Sequence, residues 1–220
     1  PATMETLLQQ IVNGLVVGSV YALVALGYTM VYGILGLINF AHGDVLMVGA
    51  LVALQVATLL HKFWPGLHPL LILAISLGVA IPVCMLLGYV MERTAYRRLR
   101  NAPRLAPLIT AIGVSFLLQT VAMILWGRNY HSFPPLFPTT PLEPFPGVFI
   151  TPVQVTILVA SAALMVALIA LVNRTPLGRA MRATAENHRV ASLMGVDTNK
   201  IISTTFILGS GLAAVAGVMI

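Results

Sequence analysis

Arg174-Thr-Pro-Leu-Gly-Arg-Ala-Met-Arg-Ala-Thr-Ala-Glu-Asn-His-Arg-Val-Ala-Ser-Leu-Met-Gly195-Val-Asp197-Thr-Asn-Lys200 is a polar island with a long apolar run on either side. The chain around it is 59% hydrophobic and 8% charged, far from the soluble average of roughly half apolar and a quarter charged. A soluble core is therefore excluded, and the island is read as a segment outside a membrane between two spanning helices. Its ends carry capping chemistry. Thr175 can accept from the free N–H groups of a first turn, and Pro176 has no N–H to leave unpaired at the first helical position. Gly195 supplies the left-handed residue that stops a helix. Between them Ala183, Asn187, Val190 and Met194 recur at helical spacing as a narrow, weakly apolar stripe. Arg179, Arg182, Glu186 and Arg189 spread over the rest of the surface. The pattern predicts one helix over 176–194 at a membrane surface; spacing alone leaves an ordinary basic loop as an equal alternative.

Working outward, apolar runs long enough to span as helices, about twenty residues each, occur at 11–32, 70–91, 105–126, 153–173 and 201–220, with a shorter one at 44–60. The expected fold is all-α, a polytopic integral membrane helix bundle forming one domain over 1–220. Cys84 is the single cysteine and lies within a span, which excludes a disulfide framework. The net charge of +6 does not point to nucleic acid, because ten of the twelve basic residues sit in two short loops. Those are Arg93, Arg97, Arg98, Arg100 and Arg104 in one, and Arg174, Arg179, Arg182, Arg189 and Lys200 in the other. That is positive-inside bias. Both loops are then cytoplasmic, and counting back through the spans, with the polar break near residue 40 taken as a reversal, puts the amino terminus outside. The proline-rich segment Gly127–Thr151 lies on that outer side too, where it is expected to fold over the mouth of the bundle.

A second interruption, Gly33-Ile-Leu-Gly-Leu-Ile-Asn-Phe-Ala-His-Gly-Asp44, predicts a broken helix. An ionised Asp in mid-span costs about 2.5–3.5 kcal/mol on insertion scales, so such residues face a cavity or a partner. Asn39, Phe40, His42, Gly43 and Asp44 are the candidates for lining a translocation path. The bland alternative is a capped re-start in which Asp44 complements the positive end of a helix dipole, and for Asp44 that reading is favoured. Two small-residue stripes, Gly14-Gly18-Ala22 and Gly209-Ala213-Gly217, are read as surfaces that let helix backbones approach. No catalytic or metal-ligating constellation is legible: there is no HExxH, and the five histidines are scattered. Gly113-Val-Ser115 would begin a nucleophile elbow, but residue 117 is Leu. No Walker A motif is present either, so a nucleotide site would belong to another chain.

Three stretches carry a family resemblance. Arg182-Ala-Thr-Ala-Glu-Asn187 followed by Ala191-Ser-Leu-Met-Gly-Val196 resembles the coupling segment of ABC-importer permeases of the branched-chain amino acid (Liv) type. Tyr21-Ala-Leu-Val-Ala-Leu-Gly27 running into Ile38-Asn-Phe-Ala-His-Gly-Asp44 resembles the amino-terminal signature of that family. Glu92-Arg-Thr-Ala-Tyr-Arg-Arg-Leu-Arg100 resembles its first cytoplasmic loop. The resemblance runs from about Leu8 to the last residue. Such permeases usually continue for further spans, so the stop inside an apolar run at Met219-Ile220 is read as an incomplete subunit. Pro1-Ala-Thr3 is likewise read as an addition before a natural start at Met4.

The resemblance implies an ATP-driven importer for branched-chain amino acids. A second related permease would complete the pore, two cytoplasmic ATP-binding subunits would hold ATP and Mg, and a periplasmic binding protein would deliver substrate. No cofactor is expected on this chain. Arg179, Arg182, Glu186, Asn187, Arg189, Leu193 and Gly195 are the residues that would couple to the ATPase. Urea and short amides are carried by similar permeases. A secondary transporter or channel would also explain the spans but not the capped surface helix, and a non-transport scaffold would explain the basic loops and the stripes.

Overall fold

The computed structural model describes residues 2–100, 102–103, 105–129, 142–145 and 147–220. Among the described residues six helices are long and apolar enough to cross a membrane. These are α1 (Ala2–Leu35), α2 (His42–Phe63), α3 (Pro69–Met91), α4 (Leu105–Trp126), α5 (Pro152–Arg174) and α8 (Thr198–Met219), with α6 (Pro176–Glu186) and α7 (His188–Leu193) between the last two spans. The chain is thus a polytopic helical membrane protein. The spans fall where the apolar runs predict, with one difference: α1 extends well to the amino-terminal side of residue 11. At 34 residues it is about 50 Å long, whereas the hydrocarbon core is about 30 Å thick. Its first turns carry the polar residues Glu5, Gln9, Gln10 and Asn13, and the helix is long enough for them to lie outside the hydrocarbon.

Elements end where their sequence says they should. Thr151 caps α5 in a full capping box, accepting from Gln154 N at 3.3 Å while Gln154 Oε1 accepts from Thr151 N at 2.9 Å. Asp197 accepts from Lys200 N at 3.1 Å and opens α8. That bond, followed by the Lys200 side chain, holds the exposed Asp197 carboxyl below its usual range. His68 caps α3, with Pro69 at its first position, and α3 runs on through Pro82.

The centre of the bundle is α8, which packs against α1, α2 and α3. Its small residues make this possible: Gly209, Ala213, Ala214 and Gly217 are buried, and without bulky side chains the neighbouring backbones approach closely. A Cβ added at Gly209 would lie 3.0 Å from the Gly27 carbonyl oxygen, and one at Gly49 would lie 2.7 Å from Ala214 Cα. The predicted stripe on α8 is therefore a packing surface. The stripe on α1 is not: Gly14 and Gly18 are exposed, and a Cβ at either would meet nothing within 4 Å. The peripheral α5 buries only Ser161 completely.

Pairings fix which ends share a face. Gln9 exchanges hydrogen bonds with the Phe149 backbone at 3.0 and 2.7 Å. That holds the start of α1 beside the antiparallel hairpin of β1 (Leu142–Phe145) and β2 (Val148–Ile150), registered Leu142 to Ile150 and Phe145 to Val148. The hairpin is a small addition to an otherwise helical chain, inside the segment expected to cover the bundle mouth; residues 130–141 and 146 of that segment lie outside the described residues. At the opposite end Arg100 bonds Asn199, which joins the two basic loops on one face; Arg104 lies outside the described residues.

Candidate functional site

The first candidate region is the connection between α1 and α2. Gly36, at φ 63°, ends α1, with its N–H on the Tyr32 carbonyl at 2.8 Å. The chain then re-enters the bundle before α2 begins at His42. Asn39 organises the re-entry. Its Oδ1 accepts from Ala41 N at 3.2 Å and from the Tyr96 hydroxyl at 2.7 Å, and it is buried. The residue at the cap position of α2 is Ala41, whose side chain makes no capping bond; local turn chemistry from Asn39 stands in its place.

His42 and Asp44 occupy the first turn of α2, are buried, and reach different neighbours. The His42 ring packs edge-on against Tyr28 of α1, centroids 5.9 Å apart. A Cβ at Gly27 would lie 3.1 Å from His42 Nε2, so glycine leaves room for the ring. That nitrogen is buried with no hydrogen-bond partner among the described residues. Asp44 Oδ1 accepts from Gln119 Nε2 of α4 at 2.9 Å, and the same nitrogen is 3.2 Å from Ser115 Oγ. A carboxylate in the first turn also faces the positive end of the α2 dipole. Phe40 and Gly43, by contrast, are exposed. The five candidates thus divide into three that tie α2 to α1, α4 and the turn after α3, and two that face out of the chain.

The second region is the polar island, which forms two helices rather than one. Asn187 adopts an extended conformation at φ −157° and ψ 106°, ending α6. Its Oδ1 accepts from Arg189 N at 3.0 Å and Val190 N at 3.1 Å, opening α7. The single helix over 176–194 overlooked this cap, although Asn followed by a short helical stretch is a legible start signal. At the entry Thr175 Oγ1 accepts from Gly178 N at 3.0 Å. Gly178 then turns tightly against the carbonyls of Leu171 and Val172 at the end of α5, and Arg182 donates to the Val172 carbonyl. At the exit Gly195 stands at φ 85°, with Gly195 N on Ser192 O and Val196 N on Ala191 O, both at 3.1 Å. This is the paired closure that a helix-ending glycine provides.

The break at Asn187 changes which face is apolar. Gly178, Met181, Thr184 and Ala191 are the buried side, not the stripe of Ala183, Asn187, Val190 and Met194, all of which are exposed. Met181 shares one buried cluster with Val31, Ile34, Ala41, Tyr96 and Ile202. The island is therefore rooted in the same core as the α1–α2 connection. Outward it presents Leu193 at 81%, Met194 at 80% and Val190 at 53% exposure, flanked by exposed Arg179, Arg182, Glu186 and Arg189.

Between the two regions lies a cluster in the Glu92–Arg100 stretch, which carries part of the family resemblance but none of the candidate site residues. Glu92 of the π-helical turn Glu92–Tyr96 is wholly buried. Its carboxylate accepts from Arg97 Nε and Nη2 at 3.2 and 2.8 Å, from Ser203 Oγ of α8 at 2.7 Å, and from Arg100. The available signal was one acid among four arginines directly after a span. Gln119, likewise missed, shows in sequence as an amide four residues from Ser115 inside an apolar run.

Residues 10–220 match the family described as branched-chain amino acid transport system / permease component. The chain belongs to this permease family. It is 45% identical over 216 residues to the high-affinity branched-chain amino acid transport system permease protein BraD of Pseudomonas aeruginosa, covering 97% of this chain and 70% of that one. It is 41% identical over 216 residues to the corresponding LivH protein of Escherichia coli K12, with the same coverage. A probable LivH permease of Methanocaldococcus jannaschii is 30% identical over 217 residues, covering 93% of this chain and 63% of that one. No solved structure matches. Among permeases of this kind the chain is a multi-pass transport protein, and both candidate regions fall within the matched residues.

Proposed function

We propose that this permease is one half of the membrane pore of an ATP-driven importer for branched-chain amino acids. A second related permease completes the pore, and a soluble binding protein delivers substrate on the periplasmic side. ATP and Mg are held by two cytoplasmic ATPase subunits that dock on the α6–α7 arm. The observation that carries the reading is the arm itself: an apolar cap of Val190, Leu193 and Met194 outside the spans, ringed by charge and rooted through Met181 in the core of the α1–α2 connection. Exposed apolar side chains on a soluble face mark an interaction site, and burying each in a partner cleft would supply about 1.5–3 kcal/mol.

Arginine enrichment supports a cytoplasmic arm, with the start of α1 and the hairpin on the periplasmic side. Branched-chain amino acids suit such a pore. Their zwitterionic end needs polar relief and their tails do not, so the path can be mostly apolar while the binding protein supplies selectivity. Asn39, His42 and Asp44 are proposed to hold the shape of the path, and the outward-facing Phe40 and Gly43 to border it. Urea or a short amide is the competing cargo.

The test is Leu193→Asp and Gly195→Val in a tagged permease. A β-branched residue at positive φ costs about 1–2 kcal/mol and misaims the arm, while the Asp removes its apolar anchor. Co-purification of the ATPases and L-leucine uptake should fall together, with the permease pair intact by size-exclusion chromatography. Normal ATPase recovery and normal uptake in both variants would sink the docking reading.

A further inference from the structure

The α6–α7 arm and the α1–α2 connection lie on the same face but make no direct hydrogen bond with each other among the described residues. They touch through apolar packing, Met181 of the arm sharing a buried cluster with Val31, Ile34 and Ala41; the hydrogen-bonded route from the base of α8, where the arm ends, to the connection is the turn that follows α3. In its π-helical stretch the Arg97 N–H reaches the Glu92 carbonyl five residues back. Widening a helix to that spacing brings residue i+5 over residue i, and here it lays the Arg97 guanidinium on the Glu92 carboxylate. Such one-turn π segments are frequent at functional sites.

The two ends of this turn grip different things. On the arm side, Arg100 Nη1 donates to Asn199 Oδ1 at 2.5 Å and Arg97 Nη2 donates to Ser203 Oγ at 2.7 Å. Both acceptors lie in the first turns of α8, just after Gly195 ends the arm. On the membrane side, the buried Tyr96 hydroxyl donates to Asn39 Oδ1 at 2.7 Å, the atom that also accepts from Ala41 N at the start of α2. The Tyr96 ring rests on Phe206 of α8, centroids 5.2 Å apart. Glu92 holds the first grip together, because its carboxylate takes both arginines and Ser203 at once, and the short π-helical backbone from Glu92 to Tyr96 connects that grip to the second.

We propose that the Glu92–Arg100 turn transmits movement of the arm to the α1–α2 connection, with Glu92 and Tyr96 as its positioning residues. The inference rests on the importer reading. Neither residue touches substrate or nucleotide. When the base of α8 shifts with the arm, the arginine–carboxylate cluster carries the turn along, and Tyr96 carries Asn39. A polar cluster suits this role better than an apolar contact because its bonds have direction: they hold through a small displacement or break, and do not slide.

The test uses the complete complex, with its ATPases and binding protein, in proteoliposomes supplied with ATP and radiolabelled L-leucine. Tyr96→Phe removes one hydroxyl and leaves the ring on Phe206. Substrate-stimulated ATP hydrolysis should persist while leucine taken up per ATP falls about three- to tenfold, the scale of one lost buried hydrogen bond. A second measurement does not depend on turnover. In a Cys84→Ala background, thiol labelling of Ile38→Cys, on the exposed part of the connection, should change with ATP in the parent and lose that change when Tyr96→Phe is added. Equal uptake per ATP, or a labelling response that survives Tyr96→Phe, overturns the transmission role and leaves the importer reading standing. Uptake by the parent complex that does not depend on ATP overturns both.

Discussion

Replacing Glu92 by Gln is predicted to be among the most destabilising single-atom-scale changes available in this chain. The carboxylate has no solvent contact and accepts four hydrogen bonds from three side chains. Glutamine keeps one oxygen and turns an NH2 group toward arginine donors, which have no acceptor for it. Removing one partner of a buried ion pair costs about 3–5 kcal/mol, because the remaining charge is left uncompensated. Two features set where in that range the loss falls. Arg97 keeps 34% of its side-chain surface and can recover hydration, whereas Arg100 keeps only 17%, so the lower half, about 3–4 kcal/mol, is expected. At about 2–4 °C per kcal/mol for a chain of this size, the melting temperature in mild detergent should drop by about 6–16 °C.

The assay is fluorescence-detected thermal unfolding of the purified permease, with Arg98→Gln as a control in a residue that the cluster does not use. Ser203→Ala should cost about 1–3 kcal/mol, since it removes one donor to the same carboxylate. A Glu92→Gln melting temperature within about 2 °C of the parent would refute the reasoning. The cluster would then be a set of solvated surface contacts, each contributing at most about 1 kcal/mol.

Gly49→Ala should destabilise by about 1–2 kcal/mol in the same assay, because the added methyl meets Ala214 Cα at 2.7 Å and overpacking outweighs the gain in helix propensity. Gly14→Ala and Gly18→Ala, with open space at both positions, should be neutral or stabilising by up to about 1 kcal/mol; the opposite order would show that the α1 stripe is the packed one. For topology, Glu5→Cys and Phe149→Cys in a Cys84→Ala background should react together with an impermeant thiol reagent in outer-membrane-permeabilised cells, and Ala183→Cys only after lysis. Reaction of Ala183→Cys in intact permeabilised cells would invert the orientation.

Spans, caps and the side-sharing of the two basic loops were legible in the chain because they depend on local chemistry. A run of about twenty apolar residues must be helical in lipid, where every backbone group needs an internal partner. Thr151, Thr175, Asp197 and Gly195 act on N–H and carbonyl groups within a few residues of themselves. The matched family was legible for a related reason: three short motifs keep their order along the chain. The helix over 176–194 failed at a local point, Asn187, where a cap inside a plausible helical period outweighed the period.

Everything that depends on which helices are neighbours lay beyond local reading. The two small-residue stripes have the same spacing, yet Gly217 abuts the Leu46 backbone while Gly14 meets nothing. Asp44 reads alone as a helix-start acid; that its partner is Gln119, 75 residues away, follows only from α2 lying beside α4. Glu92 and Tyr96 read as residues of a basic loop, and become a buried clamp because α8 returns to place Ser203 and Phe206 against them. Apolarity and capping are properties of a segment and its solvent, so the sequence by itself determined the six spans, the capped ends at Thr151, Thr175, Gly195 and Asp197, and a polar arm between the last two. Partner choice is a property of the bundle, so only the tertiary structure decided which polar groups are satisfied, which glycines are packed and what joins the arm to the connection.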